Sequence, residues 1–134
     1  MKVLFLCTGN SCRSQMAEGF GRALMAKGHR VFSAGTDPQG INPRTIVSMA
    51  ECGIDIAEQE SNNVNEIPIS ELDLVVSMCG HAQENYPDEL ADVEHIHWPL
   101  PDPADASGDE EEIMRSFAEI RNDIRNRVEE LLNS

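Results

Sequence analysis

The sequence predicts a three-layer α/β domain built on a four-stranded parallel sheet, and three features carry that expectation. Short apolar runs, Val3-Leu4-Phe5-Leu6 and Leu74-Val75-Val76 among them, read as strands buried on both faces. Segments of helical periodicity separate such runs, from Ser14 to about Lys27 and again after Asn42. The first strand, first helix and second strand make a unit that favours parallel pairing, with ligands held beyond the carboxyl ends of the strands. At 134 residues and 40% apolar content, one domain over residues 1–134 with a single core is expected.

The first strand runs straight into Cys7-Thr8-Gly9-Asn10-Ser11-Cys12-Arg13-Ser14. A small, polar, glycine-containing turn between a strand and a helix aims backbone N–H groups at an anion. Two residue types make this cradle reactive. Cys7, facing a helix N-terminus and a guanidinium, has its thiolate favoured. Arg13 can hold a tetrahedral oxyanion through two parallel hydrogen bonds. Ser14 reads as the helix cap, with its hydroxyl in reach of Cys7. A lone cysteine or arginine says little, but strand, Cys, five small residues, Arg, Ser and helix in that order form a specific set.

The helix from Ser14 places Met16, Phe20, Ala23 and Leu24 on one face, with Glu18 and Arg22 paired on the exposed side and Gly28 as its stop. Residues 29–35 read as the second strand and 36–41 as a turn. Asn42-Pro43 caps and opens the second helix, with Ile46 and Met49 facing the core. Cys52 reads as an apolar filler at its end and Cys12 as a support of the loop. Residues 57–65 read as an exposed loop reaching back toward the first turn, and 68–71 as a short helical turn. The third strand, 72–78, ends at Cys79. Parallel strands that each end in a cysteine put both thiols on one sheet edge, and bridging them needs Cα atoms within roughly 7 Å. From the residues alone, Cys79 is either such a partner or a buried filler. The fourth strand is read at 92–97, followed by the rigid Trp98-Pro99-Leu100-Pro101-Asp102-Pro103, whereas Asp88 and Asp105 read as surface charges. Ser107-Gly108-Asp109-Glu110 resembles a capping box. Ile113, Phe117, Ile120, Ile124, Val128 and Leu131 then form the core stripe of the last helix.

A net charge of −14 argues against nucleic acid and anionic membrane surfaces as partners, and it repels anionic substrates at long range. A small oxyanion must therefore be held by the local field of the loop. Only six residues precede Cys7, too few for a signal peptide, so a cytoplasmic protein is expected, and separately a monomer. Four widely spaced cysteines do not read as a secreted disulfide framework.

The stretch CTGNSCRSQMAEG resembles the phosphate-binding loop of the low-molecular-weight tyrosine phosphatase fold, in the branch of the arsenate reductases. The resemblance extends to Ser33-Ala34-Gly35, to the strand ending at Cys79, and to His97-Trp98 followed by Asp102-Pro103. It implies Cys7, Arg13, Cys79 and Asp102 as catalytic residues, with Asp102 as general acid. It also implies oxyanion binding by Thr8, Gly9, Asn10, Ser11, Cys12, Arg13 and Ser14. In arsenate reductases a cysteine at the position of Cys79 attacks the first. The extra cysteine of other members is Tyr86 or His81 here, which leaves the external reductant open among thioredoxin, glutaredoxin with glutathione, and small thiols. His81 reads either as a tuner of Cys79 or as a solvated loop residue. Potassium-binding members use a pattern matched by Asn10, Glu18 and Ser33, but Asn62 replaces their aspartate. No metal and no tightly bound cofactor is assigned.

Arsenate reduction through a Cys7–Cys79 disulfide is the expected function. The alternative is a phosphatase, which needs only Cys7, Arg13 and Asp102. Gln15 in place of the phosphatases' proline, and no tyrosine after Asp102-Pro103, stand against it. A thiol-based metal or arsenite-binding module fits the cysteine spacing poorly.

Overall fold

The computed structural model describes residues 1–24 and 28–133, and the side chain of residue 81 is not among those described. The end expected for the first helix near Lys27 and the expected roles of the His81 side chain fall outside that description. Among the described residues, four strands form one sheet: β1 (Lys2–Cys7), β2 (Arg30–Gly35), β3 (Leu74–Ser77) and β4 (Glu94–His97). Their order is β2-β1-β3-β4 and every pairing is parallel, with Cys7 level with Gly35 and Leu6 level with Ser77. Val3, Leu4, Phe5 and Leu6 of β1 are fully buried, so both faces of the sheet are covered, as the apolar run requires.

The helices are α1 (Arg13–Leu24), α2 (Pro43–Glu51), α3 (Gly80–Glu84) and α4 (Glu110–Leu132). α4 packs against α1 and α2, whereas α3 lies against β1 and β3. The stripe on α4 buries Phe117, Ile120, Ile124 and Val128 as its spacing predicts. Phe5, Phe20 and Phe117 are fully buried, each stabilising the fold by roughly 1.5–3 kcal/mol. Arg44 of α2 forms an ion pair with Glu110 of α4, N to O at 2.7 Å, at the periphery of this packing. No described helix is long and apolar enough to cross a membrane.

Several expectations are corrected at the level of single residues. The helix α1 starts at Arg13, so Ser14 lies inside its first turn and is not its cap. Ala23 and Leu24 are exposed, because the buried face of α1 ends at Phe20 and Gly21, where Val31 crowds against Gly21. Glu18 does pair with Arg22, but it is buried, drawn inward by the Ser33 hydroxyl on β2. At the start of α4 the cap is Asp109, whose Oδ1 accepts the Glu112 N–H at 2.8 Å. Gly108, at φ 114°, makes the preceding turn and moves Ser107 out of the capping position.

The topology places β1 between β2 and β3, so the segments following β1 and β3 meet in the crevice at a switch point of the sheet. Both Cys7 and Cys79 are carried there.

Candidate active site

The loop after β1 is shaped from outside by residues 36–42. Backbone N–H groups of Thr36, Asp37, Gln39 and Asn42 donate to the carbonyls of Cys7, Thr8, Gly9 and Ser11 at 2.9–3.2 Å. With those carbonyls drawn outward, peptide planarity turns the intervening N–H groups the other way, the arrangement an anion requires. Gly35 makes the close approach possible, because a Cβ there would lie 2.3 Å from the Thr8 carbonyl oxygen. Asn10 turns the chain in the left-handed region, at φ 48°.

Cys7 is buried, and its Sγ lies 3.1 Å from the Ser14 hydroxyl. Asn10 Nδ2 donates to that same hydroxyl oxygen at 2.8 Å. Asn10 thereby takes one acceptor position of the Ser14 oxygen, and the Ser14 hydroxyl is in reach to donate to Cys7 Sγ. Arg13 is also buried, and its Nη1 donates to the carbonyls of Leu100 and Met78 at 2.9 and 3.2 Å. Its Nη2 lies 3.5 Å from Asp102 Oδ2, and Asp102 Oδ1 accepts the Ala104 N–H at 3.0 Å. The guanidinium is thus fixed by the strand that leads to Cys79 and by the loop that carries Asp102.

Cys79 completes the group. Its Sγ lies 3.2 Å from the Thr8 hydroxyl and accepts the Ala82 N–H at 3.4 Å. Cys7, Cys12, Arg13, Cys79 and Asp102 line one cleft of about 590 Å³, with Gln39, Ala104 and Asp105 also on its wall. All four cysteines are free thiols. Cys12 is buried, and burial pushes its thiol above the ordinary value, so it remains protonated at neutral pH. Cys52 is half-buried at the end of α2, with its Sγ directed at the Met49 carbonyl.

The side chains of Asn10 and Ser14 face the network beneath the loop, and neither lines the cleft. The loop at 57–65 does reach back. The Ser61 hydroxyl donates to the Gly9 carbonyl at 3.3 Å, and the Asn62 N–H donates to Asn10 Oδ1 at 2.7 Å. Asn10, Glu18, Ser33 and Asn62 also come together, but as partners of one another. Glu18 takes hydrogen bonds from Ser33 and Arg22, Asn10 Oδ1 takes one from Asn62, and Asn62 Nδ2 reaches the Ser33 carbonyl at 3.4 Å. One carboxylate stands where the potassium pattern has two, which weakens the set as a cation site.

Two features were not foreseen. Gln15 is fully buried and joins the loop to residues 59–60. Its only trace in the sequence is its place where the phosphatases have proline. The buried Ser77 hydroxyl also lies 2.7 Å from both His95 Nε2 and His97 Nδ1, with Tyr86 stacked on His95 at 4.2 Å. The alternation His95-Ile96-His97 on a strand was the available signal.

Comparison with known proteins agrees with this geometry. An arsenate reductase of Halalkalibacterium halodurans is 44% identical over 126 residues, covering 94% of this chain and 91% of that protein. One of Bacillus subtilis is 43% identical over 128 residues, covering 96% and 92%. A solved structure of an arsenate reductase in the phosphate binding state superposes with a TM-score of 0.85 at 36% identity, covering 98% of this chain and 96% of that one. Another in the oxidized state gives 0.83 at 35% identity, with the same coverage. The model of the family described as low molecular weight phosphotyrosine protein phosphatase matches residues 2–134. With the sheet order, the loop and relatives of this similarity in agreement, the chain belongs to the low molecular weight phosphotyrosine protein phosphatase family.

Proposed function

We propose that this protein is an arsenate reductase that works through Cys7 and Cys79 and serves arsenic detoxification. The observation that carries the reading is the meeting of two free thiols, Cys7 and Cys79, in one cleft with Arg13 and Asp102. Relatives named arsenate reductases, similar over nearly the whole chain, support it.

In the proposed reaction the oxyanion sits on the loop N–H groups and the free edge of Arg13, and the Cys7 thiolate attacks arsenic to form a sulfur–arsenic bond. Asp102 gives its proton to the departing oxygen, which leaves as water. Cys79, as thiolate, then attacks Cys7 Sγ. A disulfide forms, the electron pair of the broken sulfur–arsenic bond passes to arsenic, and arsenic(V) leaves as arsenic(III) in arsenite. An external thiol returns the disulfide to two thiols. Thioredoxin, glutaredoxin with glutathione, and small thiols are the candidate reductants, and the protein acts as a cytoplasmic monomer.

Among the described residues none that lines the cleft is aromatic, which supports a small oxyanion over an aryl phosphate as its ligand. A turnover assay with arsenate, run with each of the three reductant classes, tests the function. Arsenite production with at least one is expected, and production with none would contradict the reading.

A further inference from the structure

We propose that Gln15 is a positioning residue for the Cys7 nucleophile, acting through Asn10 and Ser14 from outside the cleft. The inference rests on Cys7 being the reacting thiol. Gln15 is fully buried, and its amide has two protons to place. One goes to the Asn10 carbonyl at 3.0 Å and the other to the Glu60 carbonyl at 2.9 Å. Its Oε1 accepts from Gln59 Nε2 at 2.8 Å, and that same nitrogen reaches the Gln15 carbonyl at 3.2 Å. A single side chain therefore ties the loop after β1 to a segment more than forty residues away in sequence.

The tie meets the loop at its most demanding residue. Asn10 holds a left-handed backbone, which a residue with a side chain keeps only when its surroundings fix it. Two contacts do so: Gln15 grips its carbonyl, and the Asn62 N–H grips its side-chain oxygen. The orientation so fixed directs Asn10 Nδ2 onto the Ser14 oxygen, which lies 3.1 Å from Cys7 Sγ with its hydroxyl in reach to donate to the sulfur. Without the Gln15 grip, Asn10 is free to relax toward ordinary backbone angles, and the Ser14 hydroxyl is no longer steered toward the sulfur. Gln15 touches neither the cleft nor Cys7, so its effect has to pass through this chain of hydrogen bonds.

The test is alkylation of the reduced protein by iodoacetamide across a pH series, with Cys7 followed by peptide mass, and protection of Cys7 by inorganic phosphate. The variant is Gln15→Met, which keeps length and apolar bulk but loses the side-chain hydrogen bonds to Asn10, Glu60 and Gln59. Its Cys7 alkylation profile should move to higher pH, and phosphate protection should weaken about three- to tenfold, the range for one hydrogen bond. Gln59→Leu, at a half-buried position, removes both hydrogen bonds from Gln59 Nε2 but leaves the Gln15 contact with Asn10, and should give a smaller shift in the same direction. It carries the test if Gln15→Met does not fold. A variant that loses thermal stability but keeps the wild-type alkylation profile and phosphate protection would show that Gln15 only packs, and would overturn the inference. Wild-type Cys7 that phosphate fails to protect would instead overturn the reading of the site itself, and the inference with it.

Discussion

Asp102 shows how much chemistry the site concentrates in single side chains. One carboxylate oxygen is held by the Ala104 N–H and the other faces Arg13, so the group is oriented by its own loop and aimed at the guanidinium that would hold the oxyanion. Asp102→Asn keeps that shape without a proton to transfer. Turnover should fall by about 10²–10⁴, with phosphate inhibition nearly unchanged, as steady-state kinetics with arsenate and phosphate would show. Cys7→Ser should abolish arsenate reduction and any slow aryl phosphatase activity together, because a serine hydroxyl stays protonated where a thiol ionises. At this scale the sequence was legible where chemistry dictates residue type: Cys7, Arg13, Cys79 and Asp102 all reach one cleft. Gln15 was not legible, because its partners Gln59 and Glu60 become neighbours only after folding. Ser14 was half legible. Its contact with Cys7 was foreseen, but its place inside α1 depends on where the loop releases the chain.

Between elements, the tightest fit is β2 against the loop that follows β1. Any side chain at position 35 would collide with the Thr8 backbone, so Gly35→Ala should destabilise the fold by about 1–3 kcal/mol in urea unfolding and weaken phosphate binding. The edge pair β3 and β4 carries a pH dependence of its own. Burial, and secondarily the neighbouring His97, hold His95 below its ordinary value of 6.5. The unfolded chain therefore binds a proton that the folded chain resists, and stability is lost as pH falls through 6.5 and below. Denaturant midpoints measured on either side of that value should show the loss, and His95→Gln should flatten it. Strand cores were readable from their apolar runs, whereas their ends were not. β3 is Leu74–Ser77 where 72–78 was expected, because Leu72 closes the turn Ile69–Glu71 before pairing begins. The cap of α4 is Asp109 rather than Ser107 for a similar local reason, the positive φ of Gly108.

For the whole molecule, the parallel sheet was legible from one strand-helix-strand unit, because handed crossovers leave few alternatives. The reach of residues 57–65 toward the loop was legible, but the way residues 36–42 hold it from outside was not, because that depends on long-range backbone pairing. The charge of −14 has a kinetic consequence. Raising ionic strength with an inert salt from roughly 0.01 to 0.1 M shortens the Debye length from about 30 to about 10 Å. This screens the long-range repulsion of arsenate more than the short-range grip of Arg13, so kcat/KM should rise over that interval. The sheet brings a second thiol, Cys79, within reach of the sulfur that carries arsenic on Cys7, and this pairing is tested most directly by peptide mapping of the reduced protein after a single turnover with arsenate. The account predicts a Cys7–Cys79 disulfide formed in proportion to the arsenite released, and neither that bridge nor multiple turnover in Cys79→Ser unless an external thiol substitutes for Cys79. Full turnover of Cys79→Ser with every reductant, together with no Cys7–Cys79 bridge in the wild type, would contradict it.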